Sequence, residues 1–219
     1  MPDFALARRN MIDGQLRPNK VTDPEVLRAM ALIPREAFVP AARQAVAYAD
    51  DDVPLGNGRF LMEPMVLARL IQALQVRADT NALVAMAGPG YGAAVLSHLV
   101  GSVVVLEEDA VLAASGAAAL ASLGAGNCTP AQAGAGTGFP SGAPYGAILV
   151  EAGIGTIPKA LLDQLADGGR LAAVVAPANG GMGVATLAVK SGGVCATRPL
   201  FDAGTPAAPA GRAAAGFVF

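Results

Sequence analysis

Residues 82–99, ALVAMAGPGYGAAVLSHL, run from an apolar stretch into a glycine-rich turn and out again into helix-forming residues. In such a turn Gly88 and Gly90 let the backbone bend tightly and approach a ligand with no Cβ in the way. The N-terminus of the following helix then faces that ligand. About 20 residues beyond the turn, a second apolar run, Val103-Val104-Val105-Leu106, ends in Glu107-Glu108-Asp109, and an acid at that spacing can accept two hydrogen bonds from the hydroxyls of a ribose. The turn and the acid together point to a nucleotide-type ligand more strongly than either does alone.

Other residue types capable of chemistry have plainer explanations. His98 is the only histidine and lies in a helical window without a second titratable partner, so it is assigned no catalytic role. Met62, Met65, Met86 and Met182 read as gap-filling apolar side chains. The run Asp50-Asp51-Asp52 lacks the glycine and glutamate of a calcium loop and reads as a solvated turn. Cys128 and Cys195 form no CxxC or Cys/His group, which leaves no metal site and no disulfide framework to expect.

The elements that must position the turn and the acid follow from periodicity. Short apolar runs predict strands at residues 82–86, 103–106, 147–150, 171–175 and 184–189, with a weaker terminal strand at 216–219. Helical windows at 91–100, 110–123 and 158–165 lie between them. Strands alternating with helices of this length predict an α/β fold, a Rossmann-like, doubly wound and mostly parallel sheet. Ligands of that plan sit at the carboxyl ends of the strands.

Before this core, residues 23–45 predict an N-terminal helical segment, with Asp23 as cap, Pro24 just inside the start, and Pro34 and Pro40 as breaks. The Asp- and Gly-rich stretch 50–58 reads as a loop, and another amphipathic helix is expected over 64–76. The Ala- and Gly-rich stretch 113–138 reads as helix, loop and weak strand. The expectation is a single domain, with residues 1–80 as the helical and loop segment and 81–219 as the core.

The chain has 219 residues, 15 Lys and Arg against 17 Asp and Glu, and a net charge of -2, so no global field draws it to a phosphate backbone and no nucleic-acid partner is expected. Mean hydropathy is +0.48 and residues 82–106 carry no charge, yet Gly88, Pro89, Gly90 and Gly92 interrupt that stretch and argue against a membrane span. The N-terminus has scattered charges and no signal-peptide pattern, so a cytoplasmic location is expected.

Four segments carry a more specific likeness: QLRPNKVTDPEVLRAMALIPREAFVPAARQAVAYADDDVPLGNG, EPMVLARLIQAL, GPGYGAAVLSHLV and APYGAILVEAGIGTIPKALLDQLADGGRLAAVV. In order and spacing the chain resembles the protein-L-isoaspartate O-methyltransferase family over roughly residues 10–175, with PREAFVP and AYAD as its most specific markers. The resemblance implies a class I methyltransferase that uses S-adenosylmethionine to esterify isoaspartyl carboxylates of proteins or peptides. It places Gly88 and Gly90 on the cofactor turn and Glu107 on the ribose-binding acid. It names no catalytic residue, because the acceptor carboxylate is already a nucleophile and needs alignment and exclusion of water.

Against the family pattern, Met86 stands where a glycine is usual and Val84 where many members have an acid, which narrows the cofactor's amino-acid end and removes a partner for its ammonium group. The resemblance puts an adenine-contacting Asp at Ala135, which cannot accept that hydrogen bond. The substrate loop, Gly-x-Thr-Ile-Ser-x-Pro in the family, reads Gly58-Arg59-Phe60-Leu61-Met62-Glu63-Pro64, so Phe60, Leu61 and Met62 bring no hydroxyl to a carboxylate. Glu63 adds negative charge there unless Arg59 offsets it. These departures predict weakened cofactor binding and no methylation of an isoaspartyl peptide at a useful rate. They keep open an inert homologue acting as a binding or assembly module, and a methyltransferase with another acceptor. The absence of Asp, Glu, Lys and Arg from residues 110–150 further suggests a homodimer packed through the helix at 110–123.

Overall fold

The computed structural model describes residues 2–134, 136–177 and 180–209. Helix α1 (Phe4–Met11) runs into a π-helical turn, Ile12–Leu16, and helix α2 (Pro24–Leu32) follows. The Asp23 side chain accepts from the Glu25 and Val26 amides, and Pro24 takes the first turn, where a missing N–H costs nothing. Pro34 and Pro40 then confine the chain to two 3-10 segments, Arg35–Phe38 and Ala41–Val46. The stretch expected to be a loop is instead an antiparallel hairpin of β1 (Val53–Gly56) and β2 (Arg59–Leu61). Its tip turns through Gly56, Asn57 and Gly58, all with positive φ.

Helix α3 (Pro64–Leu74) closes on Gln75 in a left-handed conformation and leads into the core. There β3 (Asn81–Ala85), α4 (Tyr91–Ser97), β4 (Ser102–Leu106), α5 (Ala110–Ser122) and β5 (Cys128–Ala131) alternate. They are followed by β6 (Tyr145–Ile154), α6 (Lys159–Asp163), β7 (Leu165–Val175), β8 (Gly183–Ser191) and β9 (Val194–Ala203). Seven strands form one sheet in the order β5-β4-β3-β6-β7-β8-β9, parallel from β5 through β7 and antiparallel for β8 and β9. Chain direction across the sheet reverses between β3 and β6, which makes the carboxyl ends of the neighbouring strands the place for a ligand crevice.

Both faces of the sheet are covered. Ala82 and Val84 pack into one core with α3 and α4, whereas Leu83 and Ala85 pack into a second core with Ile148, Val150 and Leu161, as the alternation of strand side chains requires. Within the seven-stranded sheet, two strands differ from the sequence expectation. β9 was not expected, and β5 was foreseen only as a weak strand. Both lie at sheet edges and contain prolines, Pro199 and Pro130, which an edge strand tolerates because one of its sides makes no ladder bonds. The expected strand at 216–219 lies outside the described residues. Among the described residues no helix is long and apolar enough to cross a membrane.

Candidate functional site

β3 delivers the chain into the glycine turn at the crevice. Gly88 and Gly90 have φ of +55° and +87°, and Gly90 caps α4 in the left-handed conformation. Met86 also has positive φ, +54°, a conformation a glycine adopts without cost, so the family's usual glycine at this position has a backbone reason here. Helix α5 crowds the turn, and the hairpin lies against it in ordinary contact. A Cβ on Gly116 of α5 would lie 2.8 Å from the Pro89 carbonyl, and a Cβ on Gly88 would meet Leu55 Cδ1 of the hairpin at 3.6 Å.

Glu107 stands at the end of β4, 2% exposed, beside this turn. Its Oε2 accepts from the Gly88 amide at 2.7 Å and its Oε1 from the Asp109 amide at 2.9 Å. Both oxygens are also held by Arg59 of the hairpin, 6% exposed, whose Nη1 donates to Oε1 at 2.7 Å and Nη2 to Oε2 at 2.8 Å. Arg59 Nη2 donates further to the Met86 carbonyl at 3.1 Å. The hairpin tip comes close as well, with Asn57 beside Asp109, and the Leu112 and Val111 amides that Asp109 caps hold its carboxyl below the usual carboxylate range. Beside Glu107 a slot of about 150 Å³ lies between α5 and the ends of β4 and β5, lined by Val105, Ala113, Ala117, Leu120 and Ala131.

S-adenosylmethionine fits this site only in part. The apolar slot suits a flat base, and the Gly88 amide and Glu107 carboxylate suit a ribose. However, a carboxylate offers about four lone-pair directions, and Arg59, Gly88 and Asp109 fill them all. The slot is also below the roughly 300 Å³ at which small-molecule pockets begin. With Arg59 in place, the ribose has no acceptor.

A second polar group lies deeper, beneath the loop. Arg35 is fully buried, donates through Nε to the Ala47 carbonyl and through Nη2 to the Met62 carbonyl, both at 2.6 Å, and places its guanidinium 5.0 Å from the centre of the Tyr91 ring. Its Nη1 and the Tyr91 hydroxyl have no hydrogen-bond partner among the described residues. Glu151, near the carboxyl end of β6, accepts from the Gly92 amide at 3.1 Å with each oxygen. Burial pushes its carboxyl up to about 8, against the pull of that amide, Arg35 and Arg59.

The structure therefore brings Gly88, Gly90 and Glu107 together as the sequence predicts. Of the substrate-loop residues, Leu61 and Met62 are core side chains and only Phe60 is partly exposed. Arg59 pairs with Glu107 and not with Glu63, whose carboxyl is raised to about 6 by burial and then by Asp50, Asp52 and Asp51. Val84 is a core residue, and Ala135 lies outside the described residues. His98 is exposed at the end of α4, and both cysteines are free. Sequence reasoning missed Arg35, Glu151 and the role of Arg59. Glu151 had a signal, a lone acid inside the apolar run AILVEAGI.

The chain is similar to known proteins over most of its length. The profile described as protein-L-isoaspartate(D-aspartate) O-methyltransferase matches residues 7–198. Protein-L-isoaspartate O-methyltransferase 1 of Rhodopseudomonas palustris (strain HaA2) is 44% identical over 168 residues, 77% of this chain and 69% of the relative. The protein-L-isoaspartate O-methyltransferase of Roseiflexus castenholzii is 45% identical over 170 residues, 77% of each chain. Among solved structures, a protein-L-isoaspartate O-methyltransferase superposes with a TM-score of 0.80 at 22% identity, covering 92% of this chain and 65% of that one. A putative one from Plasmodium falciparum, in complex with S-adenosyl-L-homocysteine, gives 0.75 at 18% identity over 96% of this chain and 100% of that one.

Proposed function

The chain belongs to the protein-L-isoaspartate O-methyltransferase family, and on that premise we propose that it transfers a methyl group from S-adenosylmethionine to the carboxylate of isoaspartyl-containing proteins or peptides. The observation that carries the reading is the meeting of the Gly88–Gly90 turn with Glu107 at the crevice of the doubly wound sheet. The cofactor, when bound, supplies an electrophilic methyl group on a sulfonium. The chain's part is positional: Glu107, held by the Gly88 amide, would hold the ribose once Arg59 withdraws, and the slot against α5 would take the base. No side chain need remove a proton, since a carboxylate attacks as it stands. Without loop hydroxyls, the acceptor is held weakly and transfer is slow.

Radiolabelled methyl transfer to an isoaspartyl peptide, with the matching aspartyl peptide as control, tests the reading. Slow, base-labile label on the isoaspartyl peptide alone is expected, and no label above the control at saturating cofactor would overturn it. Label on a different carboxylate would favour the alternative acceptor. The inert-homologue reading has the filled Glu107 carboxylate on its side, but the extent of the family match supports the enzyme. The same reading includes a cytoplasmic location, no nucleic-acid partner, and self-association through the exposed face of α5, where Val111 is 77% exposed.

A further inference from the structure

We propose that Arg59 is an intramolecular latch on the cofactor site, its guanidinium competing with the ribose of S-adenosylmethionine for the Glu107 carboxylate, so that cofactor enters only as the hairpin lifts. The inference rests on the methyltransferase reading for the identity of the ligand, and on the structure for the competition.

Three observations carry it. The first is occupancy. A ribose diol needs two acceptor directions on the acid, and the Gly88 and Asp109 amides belong to the backbone that shapes the site and cannot leave. The two directions taken by Arg59 are the only ones a side chain can give up. The second is that the hairpin blocks the site at several points at once. Leu55 lies against the open side of Gly88, Asn57 sets the tip beside Asp109, and Arg59 bridges Glu107 and the Met86 carbonyl across the turn. One movement of the tip clears all of them.

The third observation is that the hairpin is built to move more cheaply than the sheet. It pairs at three positions, Val53 with Leu61, Pro54 with Phe60 and Gly56 with Arg59, with an irregularity between Pro54 and Gly56. A two-stranded ribbon of that size is marginal by itself. Its base is anchored by Val53 and Leu61 in the core, so it is the tip, residues 55–59, that is held by contacts with the site, and a ligand that replaces those contacts releases the tip. Arg59 leaving for solvent regains hydration, while Glu107 exchanges guanidinium donors for hydroxyl donors and stays satisfied.

The test is calorimetric titration of the whole chain with S-adenosylhomocysteine, using wild type, Arg59→Gln and Arg59→Lys. Arg59→Gln is expected to bind at least tenfold more tightly than wild type, and Arg59→Lys, which keeps a point charge but not the two-pronged contact, to fall between them. Hydrogen exchange on the wild type adds a measurement without mutation: bound S-adenosylhomocysteine should speed exchange across the tip, residues 55–59, while protecting the Gly88 amide. Equal or weaker binding by Arg59→Gln overturns the proposal. So does undetectable binding by both variants at millimolar ligand, because removing the latch must open the site. If Arg59→Gln fails to fold, Arg59→Lys decides, and an affinity equal to that of wild type overturns the latch. So does slowed or unchanged exchange at the tip in a wild-type complex. Methyl transfer does not enter these readouts. A latch without transfer removes the isoaspartyl reading alone, and transfer with equal affinities removes the latch alone.

Discussion

Replacing Glu107 with Gln tests whether the Arg59–Glu107 contact is a desolvated ion pair in solution. The two side chains are 6% and 2% exposed and meet through two hydrogen bonds of 2.7 and 2.8 Å, with two backbone amides completing the carboxylate. A glutamine keeps the shape but offers one acceptor oxygen with about two lone pairs. At least two of the four donors then lose their partner, and the guanidinium is left buried without a counter-charge. Breaking a buried pair in this way costs about 3–5 kcal/mol, a large share of the roughly 5–15 kcal/mol that holds a typical domain folded. Equilibrium urea unfolding followed by far-UV circular dichroism reads the difference, provided the slope with denaturant stays constant. The double variant Arg59→Met with Glu107→Leu should recover only part of the loss, since it leaves no charge to desolvate but strips the Gly88 and Asp109 amides of their acceptor. A cost under about 1 kcal/mol for Glu107→Gln, typical of a solvated surface pair, would refute the buried geometry.

Glu151 gives a pH dependence of stability. Its carboxyl is raised from the ordinary 4.5 to about 8 in the folded chain, so between those values the folded state keeps a proton the unfolded state has lost, and stability declines as pH rises, by up to about 1.4 kcal/mol per unit. Glu151→Gln should flatten this decline in urea titrations from pH 5 to pH 8, and an unchanged slope would assign it to other groups. Met86→Gly should relieve about 1–2 kcal/mol of left-handed strain but lose a buried side chain worth about 2–5 kcal/mol, for a net destabilisation; a gain in stability by denaturation would show that Met86 is poorly packed. Self-association is checked by light scattering with Ala114→Glu and Ala118→Glu, both exposed on α5, whereas Ala113 and Ala117 line the slot and would disturb it. Monomeric wild type at tens of micromolar, where micromolar contacts register, would end the dimer reading.

What the sequence shows and what it hides follow from the range of the forces involved. β3 and β4 were legible because strands buried on both faces are continuous apolar runs, and their glycine turn and trailing acid lie within one β-α-β unit at a fixed spacing. The hairpin carried a signal too, since Asn57-Gly58 is a tight-turn dipeptide, but Pro54, Gly56 and the preceding acidic run made the segment read as loop. Arg59 was hidden for a different reason. It lies 48 positions from Glu107, with Glu63 only four residues away, and local charge counting assigns the arginine to its neighbour. Burial decides otherwise. Among the described residues two arginines and two glutamates are buried, Arg35, Arg59, Glu107 and Glu151. Arg59 reaches Glu107 with two well-directed bonds, which leaves Arg35 to carbonyl oxygens and an aromatic face, and Glu151 to one amide. Burial, with only one amide donor to offset it, pushes such a carboxyl up to about 8. The chemistry of the second polar group is thus set by how Arg59 pairs in the first, and a lifted hairpin, by freeing Arg59, would change the field at both.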